Sequence, residues 1–322
     1  MTATGIDDLA TVALRRFGLS PEATATLCNV SENHTYRVED PEKGAFALRV
    51  HRPGYRTAHQ IECELEWVDA LREDGAVDTC VPVPAPGGER VVEVGSRNVV
   101  LWEWLPGAEP DPEGDEVIAG YRTLGAVSAR MHTHARAWTL PDGFDRPHWD
   151  FEHTLGAEGY WGRWQDGLGM GAEELALLER LAATIDRRLR AYGQGADRFG
   201  LVHADIRLAN LLVDDGHVRV IDFDDSGFAW FMYDFATTVS FMEDHPRVPE
   251  LRAAWLDGYR SVAPLDTADE AELDTLVMLR RLLLVAWIGS HHTFATEAAE
   301  LGAGFTAGTC ALAEDYLSTH SS

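Results

Sequence analysis

The stretch Leu201-Val202-His203-Ala204-Asp205-Ile206-Arg207-Leu208-Ala209-Asn210-Leu211-Leu212 constrains this chain more than any other. An apolar pair leads into a histidine, a carboxylate stands two residues on, and an amide side chain five residues further. An Asp-Asp-Gly turn at 214–216 and a second strand-like run, Val218-Arg219-Val220-Ile221, follow, and that run delivers Asp222 as it ends. Two short strands about a turn are expected to bring Asp205, Asn210 and Asp222 together. In that company one carboxylate can take a hydroxyl proton, while an amide oxygen and a second carboxylate hold a hard cation with waters and phosphate oxygens. A hairpin alone needs the turn; it does not need three such residues in this order.

The order H-x-D-x-x-x-x-N, followed by a strand ending in I-D-F, is that of kinase catalytic and metal loops. With Ala204 in the loop and Ile221-Asp222-Phe223-Asp224 in place of D-F-G, the chain resembles the aminoglycoside phosphotransferase, choline kinase and homoserine kinase group. The resemblance implies an α+β, bilobal protein-kinase-like fold. A small β-rich N-lobe, residues 1–105, would cover the nucleotide. A larger, mainly helical C-lobe, residues 106–322, would carry the catalytic loop, the metal site and the acceptor pocket. It implies ATP and Mg²⁺ as cofactors, Asp205 as the residue that orients and deprotonates an acceptor hydroxyl, and Asn210 and Asp222 as metal ligands.

Length supports two lobes, since 322 residues are many for one core. A hydrophobic content of 45% is that of an ordinary globular protein, and no apolar run is long enough to span a bilayer. The net charge of -26 argues against a nucleic-acid or anionic-membrane partner. It could favour a cationic acceptor, but a solubilising acidic surface is the simpler account. Four scattered cysteines without metal-ligand spacing, and a start lacking the basic-then-apolar layout of a secretory leader, lead to the expectation of a cytoplasmic protein. Oligomeric state is not readable.

In chain order, residues 6–18 read as an amphipathic helix with Ile6, Leu9, Ala10, Ala13, Leu14 and Phe17 on one face. Residues 24–38 and 44–51 alternate like two strands around a turn at 40–44. The polar segment Val30 to Val38 stands where protein kinases have a glycine-rich loop. Its N-x-x-Y-x-V pattern is similar to that of the antibiotic kinases, which assigns it to covering the phosphates, with Asn33 as the contact. Lys43 is the sole lysine and lies in the turn, so Arg49 on the next strand is the candidate to hold the α- and β-phosphates. A helix at about 58–73 would supply Glu64 to aim it, with Glu62 and Glu66 as competitors. Leu101-Trp102-Glu103-Trp104-Leu105-Pro106-Gly107 resembles the family's hinge, where the Glu103 carbonyl and Leu105 amide would meet adenine and Trp102 would lie beside it.

Beyond the hinge the chain reads as helices, 117–134 and 172–192 among them, around an irregular Trp-rich stretch at 138–170 expected over the acceptor site. His132 and His134 point two ways from a helix and read as packed or surface residues rather than metal ligands. Arg207, two residues after Asp205, either neutralises charge on the transferring phosphoryl group or bonds its own loop. Asp234 ends a segment like the family's loop-anchoring D-x-A and reads as structural. Asp224 and Asp225 could touch metal or substrate or be an exposed turn pair. Arg280, Arg281, His291 and His292 could line the acceptor pocket or a helix face. The function expected is therefore an ATP-dependent small-molecule kinase acting on a hydroxyl of an antibiotic, amino alcohol, amino acid or nucleoside-like acceptor. The competing readings are a bacterial Ser/Thr protein kinase, which lacks A-P-E here, a nucleotide-binding pseudokinase, and a His-based metallohydrolase, which lacks a third ligand.

Overall fold

The computed structural model describes residues 3–30, 33–111, 114, 116–157, 159–293 and 295–320. Its first elements are helix α1 (Ala3–Arg16), strands β1 (Thr24–Val30), β2 (His34–Asp40) and β3 (Gly44–Val50), helix α2 (Ala58–Glu73), and strands β4 (Asp78–Thr79), β5 (Val92–Val94) and β6 (Arg97–Glu103). Helices α3 (Val117–Ala137), α4 (Phe151–Leu155) and α5 (Ala172–Tyr192) follow, then strands β7 (Phe199–Val202), β8 (Leu211–Asp214), β9 (His217–Val220) and β10 (Gly227–Trp230). Helices α6 (Tyr233–Thr238), α7 (Val248–Arg260), α8 (Thr267–Ala271), α9 (Leu273–His291) and α10 (Thr296–His320) complete the order. They fall into two compact units. One comprises Met1–Ala108, Leu140–Arg146 and Leu211–Asp224; the other comprises Glu109–Thr139, Pro147–Asn210 and Asp225–Ser322.

The first unit is built on a five-stranded antiparallel sheet in the order β1-β2-β3-β6-β5. Helix α1 lays Leu9, Ala10, Ala13 and Leu14, with Phe17 in the turn that follows it, against the apolar face made by Tyr36, Val38, Leu48, Val50, Val99 and Leu101. Burying Leu9, Leu14 and Phe17 contributes roughly 5–9 kcal/mol before entropy is subtracted. The side chain of Ile6, expected on the same face, lies outside the described residues. Where the sequence suggested two strands there are three, because the chain reverses between Val30 and His34 and pairs Val30 with His34 in register. Helix α2 begins at a capping box, with Thr57 Oγ1 accepting from the Gln60 amide and the Gln60 side chain accepting from the Thr57 amide. A second, three-stranded sheet runs β4-β9-β8. Its hairpin turns at Asp215 (φ 47) and Gly216 (φ 82), the positive-φ pair of a tight two-residue turn.

The second unit is helical around a short antiparallel pair, β7 with β10. Two glycines set its tightest packing. A Cβ on Gly125 of α3 would lie 1.9 Å from the Trp255 carbonyl oxygen, and one on Gly258 of α7 would lie 1.9 Å from that of Arg122. The Leu124-Gly125 pair in the sequence therefore marks a helix–helix approach at backbone distance. Helix α9 is buried on every side, as an apolar helix at the centre of a helical unit must be. The Trp-rich connection is ordered by burial of Trp149, Trp161 and Trp164 and holds α4 and a 3₁₀ turn at Trp164–Asp166. Among the described residues no helix is long and apolar enough to cross a membrane.

Candidate functional site

Two polar clusters form, one within each unit. In the first unit, β3 ends with Arg49 turned off the apolar face, 8% exposed. Its Nη1 donates to Glu64 Oε1 at 2.7 Å and its Nη2 to Asp222 Oδ1 at 3.1 Å, with Asp224 Oδ1 3.7 Å from Nη1. Burial works against the guanidinium charge, but Glu64, Asp222 and Asp224 outweigh it and hold the Arg49 pKa above the ordinary arginine value. Glu64, fully enclosed, is pushed up by burial against the pull of Arg49 and Arg146. Helix phase thus selects Glu64 from the three candidates: Glu62 bonds Arg90 instead, and Glu66 makes no bond to Arg49.

Asp222 leaves β9 with φ 65, a left-handed conformation that is rare for a residue with a Cβ. Its side chain is 48% exposed, so a carboxylate projects while the backbone behind it is pinned. The pin is Arg146, 1% exposed. It donates to the carbonyls of Asp224 (2.6 Å), Phe223 (3.1 Å) and, from α2, Gln60 (2.8 Å). Asp224 is buried rather than an exposed turn residue. It accepts from Asn33 Nδ2 at 2.6 Å, and Asn33 Oδ1 in turn accepts from the Arg52 amide at 3.0 Å. Burial raises the Asp224 carboxyl, but Arg49, His51, Arg56 and Arg146 together bring it below the usual value. Of the polar loop assigned to the phosphates, Ser31 and Glu32 lie outside the described residues, whereas Asn33 is buried and committed to Asp224 and Arg52. Glu103 closes β6, with its amide donating to Val81 at 2.9 Å; Leu105 follows two residues later. Trp102 is buried with its ring 5.5 Å from the Arg49 guanidinium carbon.

In the second unit the loop after β7 carries Asp205, Arg207 and Asn210, the last in a 3₁₀ turn at Leu208–Asn210. Ala204 has φ 65. That conformation is held by Asp234, whose Oδ1 accepts from the Ala204 amide at 2.8 Å and whose Oδ2 accepts from the His203 amide at 3.3 Å and His132 Nε2 at 2.9 Å. His132 Nδ1 is 3.1 Å from the Tyr259 hydroxyl, and burial lowers the His132 pKa, so the neutral ring links α3, α6 and α7 behind the loop. His132 and His134 are both buried, and among the described residues no group of three His, Cys, Asp or Glu is arranged to hold a metal.

Asp205 Oδ2 accepts from Asn210 Nδ2 at 3.2 Å, and the same nitrogen donates to the Asp205 carbonyl at 2.7 Å. That orientation leaves the Asn210 amide oxygen, the atom able to bind a cation, on the other side of the group. Arg207 Nε lies 3.6 Å from Asp205 Oδ2 and its Nη1 3.9 Å from Glu297. Sequence reasoning gave no partner to Arg280, yet its Nη2 donates to Asp205 Oδ1 at 2.9 Å. Arg281 faces elsewhere, to Glu243, Thr309 and the Phe305 carbonyl. The only signal for Arg280 in the sequence was a charged pair inside an apolar helix. For Arg146 there was none.

Comparison with known proteins places this geometry. A family model described as the phosphotransferase enzyme family matches residues 27–274. The solved structure of a microcompartment-associated aminopropanol kinase is 49% identical, covers 97% of this chain and 98% of its own, and superposes with a TM-score of 0.89. The amicoumacin kinase of Bacillus subtilis (strain 168) is 25% identical over 311 residues, 91% of this chain and 88% of its own. An amicoumacin kinase solved with AMP-PNP and Ca²⁺ shares the fold at a TM-score of 0.78 and 21% identity, each chain covering 96% of the other. The bilobal kinase-like fold and the phosphotransferase activity expected from the catalytic-loop motif are thus found together, and the chain belongs to the phosphotransferase enzyme family.

Proposed function

We propose that this protein is an ATP-dependent kinase that phosphorylates the hydroxyl of a small amino alcohol, with Mg²⁺ as the metal. The carrying observation is Asp205, a carboxylate braced from two sides by Arg280 and Asn210 at a loop whose backbone is itself fixed by Asp234. The amino alcohol is favoured by the 49% identity to an aminopropanol kinase, and it agrees with the net charge of -26. The residues fit a hard cation: Asp222 offers a half-exposed carboxylate and Asn210 an amide oxygen, and oxygen ligands from phosphate complete such a set. Motif order and family membership, rather than a measured distance, support assigning both residues to one metal.

In this reading Mg²⁺-ATP supplies the phosphoryl group and, when bound, the charge neutralisation its transfer needs. Arg49, aimed by Glu64, holds the α- and β-phosphates and exchanges its bond to Asp222 for them. Asn33 ties the covering loop to Asp224, the Glu103 carbonyl and Leu105 amide meet adenine, and the segment through residue 105 covers the nucleotide. Asp205 orients the acceptor hydroxyl and takes its proton. Arg207, poised beside Asp205, stabilises the charge on the group in transit. The four cysteines are unpaired, which suits a cytoplasmic location.

The test is turnover with ATP and aminopropanol, beside homoserine and amicoumacin as alternative acceptors. Asp205→Asn is expected to lower kcat about 10²–10⁴-fold and leave ATP affinity within twofold. A variant keeping half the wild-type kcat would remove Asp205 from the reaction. Nucleotide binding without turnover on any of the three acceptors would favour the pseudokinase.

A further inference from the structure

Helix α9 runs through the second unit with apolar neighbours on all sides, yet it buries Arg280 to 3% exposure. Every arm of that guanidinium is engaged. Nε donates to Ser240 Oγ at 3.2 Å, Nη1 to the Tyr233 hydroxyl at 3.4 Å and Nη2 to Asp205 Oδ1 at 2.9 Å. The Trp161 and Tyr233 rings flank it, at 5.3 and 6.0 Å from the guanidinium carbon. Burial disfavours its charge, but Tyr233 and Asp205, with Asp225 beyond, keep it protonated.

A planar fork held at two nitrogens has its third direction fixed, so Ser240 and Tyr233 aim Nη2 at Asp205. Fold stability alone does not explain such a residue. Buried ion pairs contribute little that an apolar pair of the same shape would not, and Leu279, Leu282 and Leu283 are the buried neighbours on the same helix. Its partner, moreover, is the catalytic-loop carboxylate 75 residues away in sequence. Arg281 makes the contrast, pairing with Glu243 without touching the loop.

We propose that Arg280 is the positioning residue of Asp205: by fixing Oδ1 it stops rotation of the carboxylate and leaves Oδ2 as the oxygen presented to the acceptor hydroxyl. This rests on the reading of Asp205 as the acceptor-side carboxylate. Asn210 touches the same Oδ2 at 3.2 Å and Arg207 approaches it at 3.6 Å, so both oxygens have a defined direction.

The test combines kinetics with ATP and aminopropanol and thermal melts of Arg280→Met, Arg280→Lys, Asp205→Asn and the double variant Asp205→Asn/Arg280→Met. Arg280→Met is expected to lower kcat about 10–10²-fold, the scale of a carboxylate displaced by an ångström, with the KM for ATP within twofold. Arg280→Lys recovers part of that loss. In the double variant kcat falls no further than in Asp205→Asn alone, since Arg280 acts through Asp205. The melts need no substrate. Asp205→Asn leaves Arg280 without its anion and lowers Tm by several degrees, and adding Arg280→Met brings Tm back. Multiplicative losses in kcat together with additive losses in Tm overturn the inference and leave Asp205 in place. Full turnover in Asp205→Asn overturns the reading of Asp205 and with it this role. If Arg280→Met does not fold, Arg280→Gln carries the same comparison.

Discussion

Asp234→Asn keeps the size of a fully buried side chain and removes one of its two acceptors. Three donors converge on the native carboxylate: the Ala204 amide at 2.8 Å, the His203 amide at 3.3 Å and His132 Nε2 at 2.9 Å. The least costly arrangement of the asparagine puts its oxygen toward Ala204. Its NH2 then faces His132, which adapts by switching tautomer, with Nε2 accepting and Nδ1 donating to Tyr259. The His203 amide loses this bond to a charged acceptor, at about 1.5–3 kcal/mol. The Ala204 bond, now to a neutral acceptor, weakens while still having to hold a backbone at φ 65, itself disfavoured by roughly 1–2 kcal/mol. A total near 2–4 kcal/mol corresponds to a fall in Tm of roughly 3–6 °C for a chain of this size. With the loop loosened, kcat is expected to fall about 10²-fold. Thermal unfolding and steady-state kinetics well below the lowered Tm measure both. A Tm within a degree of wild type together with unchanged kcat would refute the role of Asp234 as the anchor of the loop.

Three further expectations follow from the geometry. Gly125→Ala places a methyl 1.9 Å from the Trp255 carbonyl, so α3 and α7 must separate by an ångström or more; a loss of about 1–3 kcal/mol in urea unfolding is expected, and a neutral change would show that the helices slide freely. His51, 1% exposed, has its pKa lowered from 6.5 to about 3 by burial, aided by Arg49, Arg146 and Arg56 and opposed by Asp224. The unfolded chain therefore takes up a proton there that the native state refuses, and stability is lost as pH falls from about 6.5 toward 3. His51→Gln should make the slope between pH 6.5 and 5 shallower by about 1 kcal/mol per pH unit, and an unchanged slope would dismiss the site. Arg49→Ala should raise the KM for ATP and lower kcat, with Arg49→Lys recovering only part because an ammonium cannot bridge Glu64 and phosphate as a fork does; wild-type kinetics in Arg49→Ala would leave the phosphates to another cation.

Much of this protein is written in short range. The amphipathic period places α2 at 58–73 and α5 at 172–192 to the residue, because period, caps and breakers lie within a few positions of one another. The Asp-Asp-Gly turn and the strands around it are local for the same reason. Motif spacing likewise makes Asp205, Asn210 and Asp222 candidates from the sequence alone. Tertiary structure alone decides what depends on distant partners. β4 and β10 are too short to declare themselves and exist because β9 and β7 pair with them. Glu64 rather than Glu62 or Glu66 meets Arg49 because the packing of α2 sets its rotation. Segments 140–146 and 211–224 join the N-terminal unit, which brings Arg146 to the carbonyls behind Asp222. Arg280 finds Asp205 across 75 residues through the burial of α9. A local pattern records which face of an element is apolar; it holds no record of which remote residue that burial will bring opposite a charge.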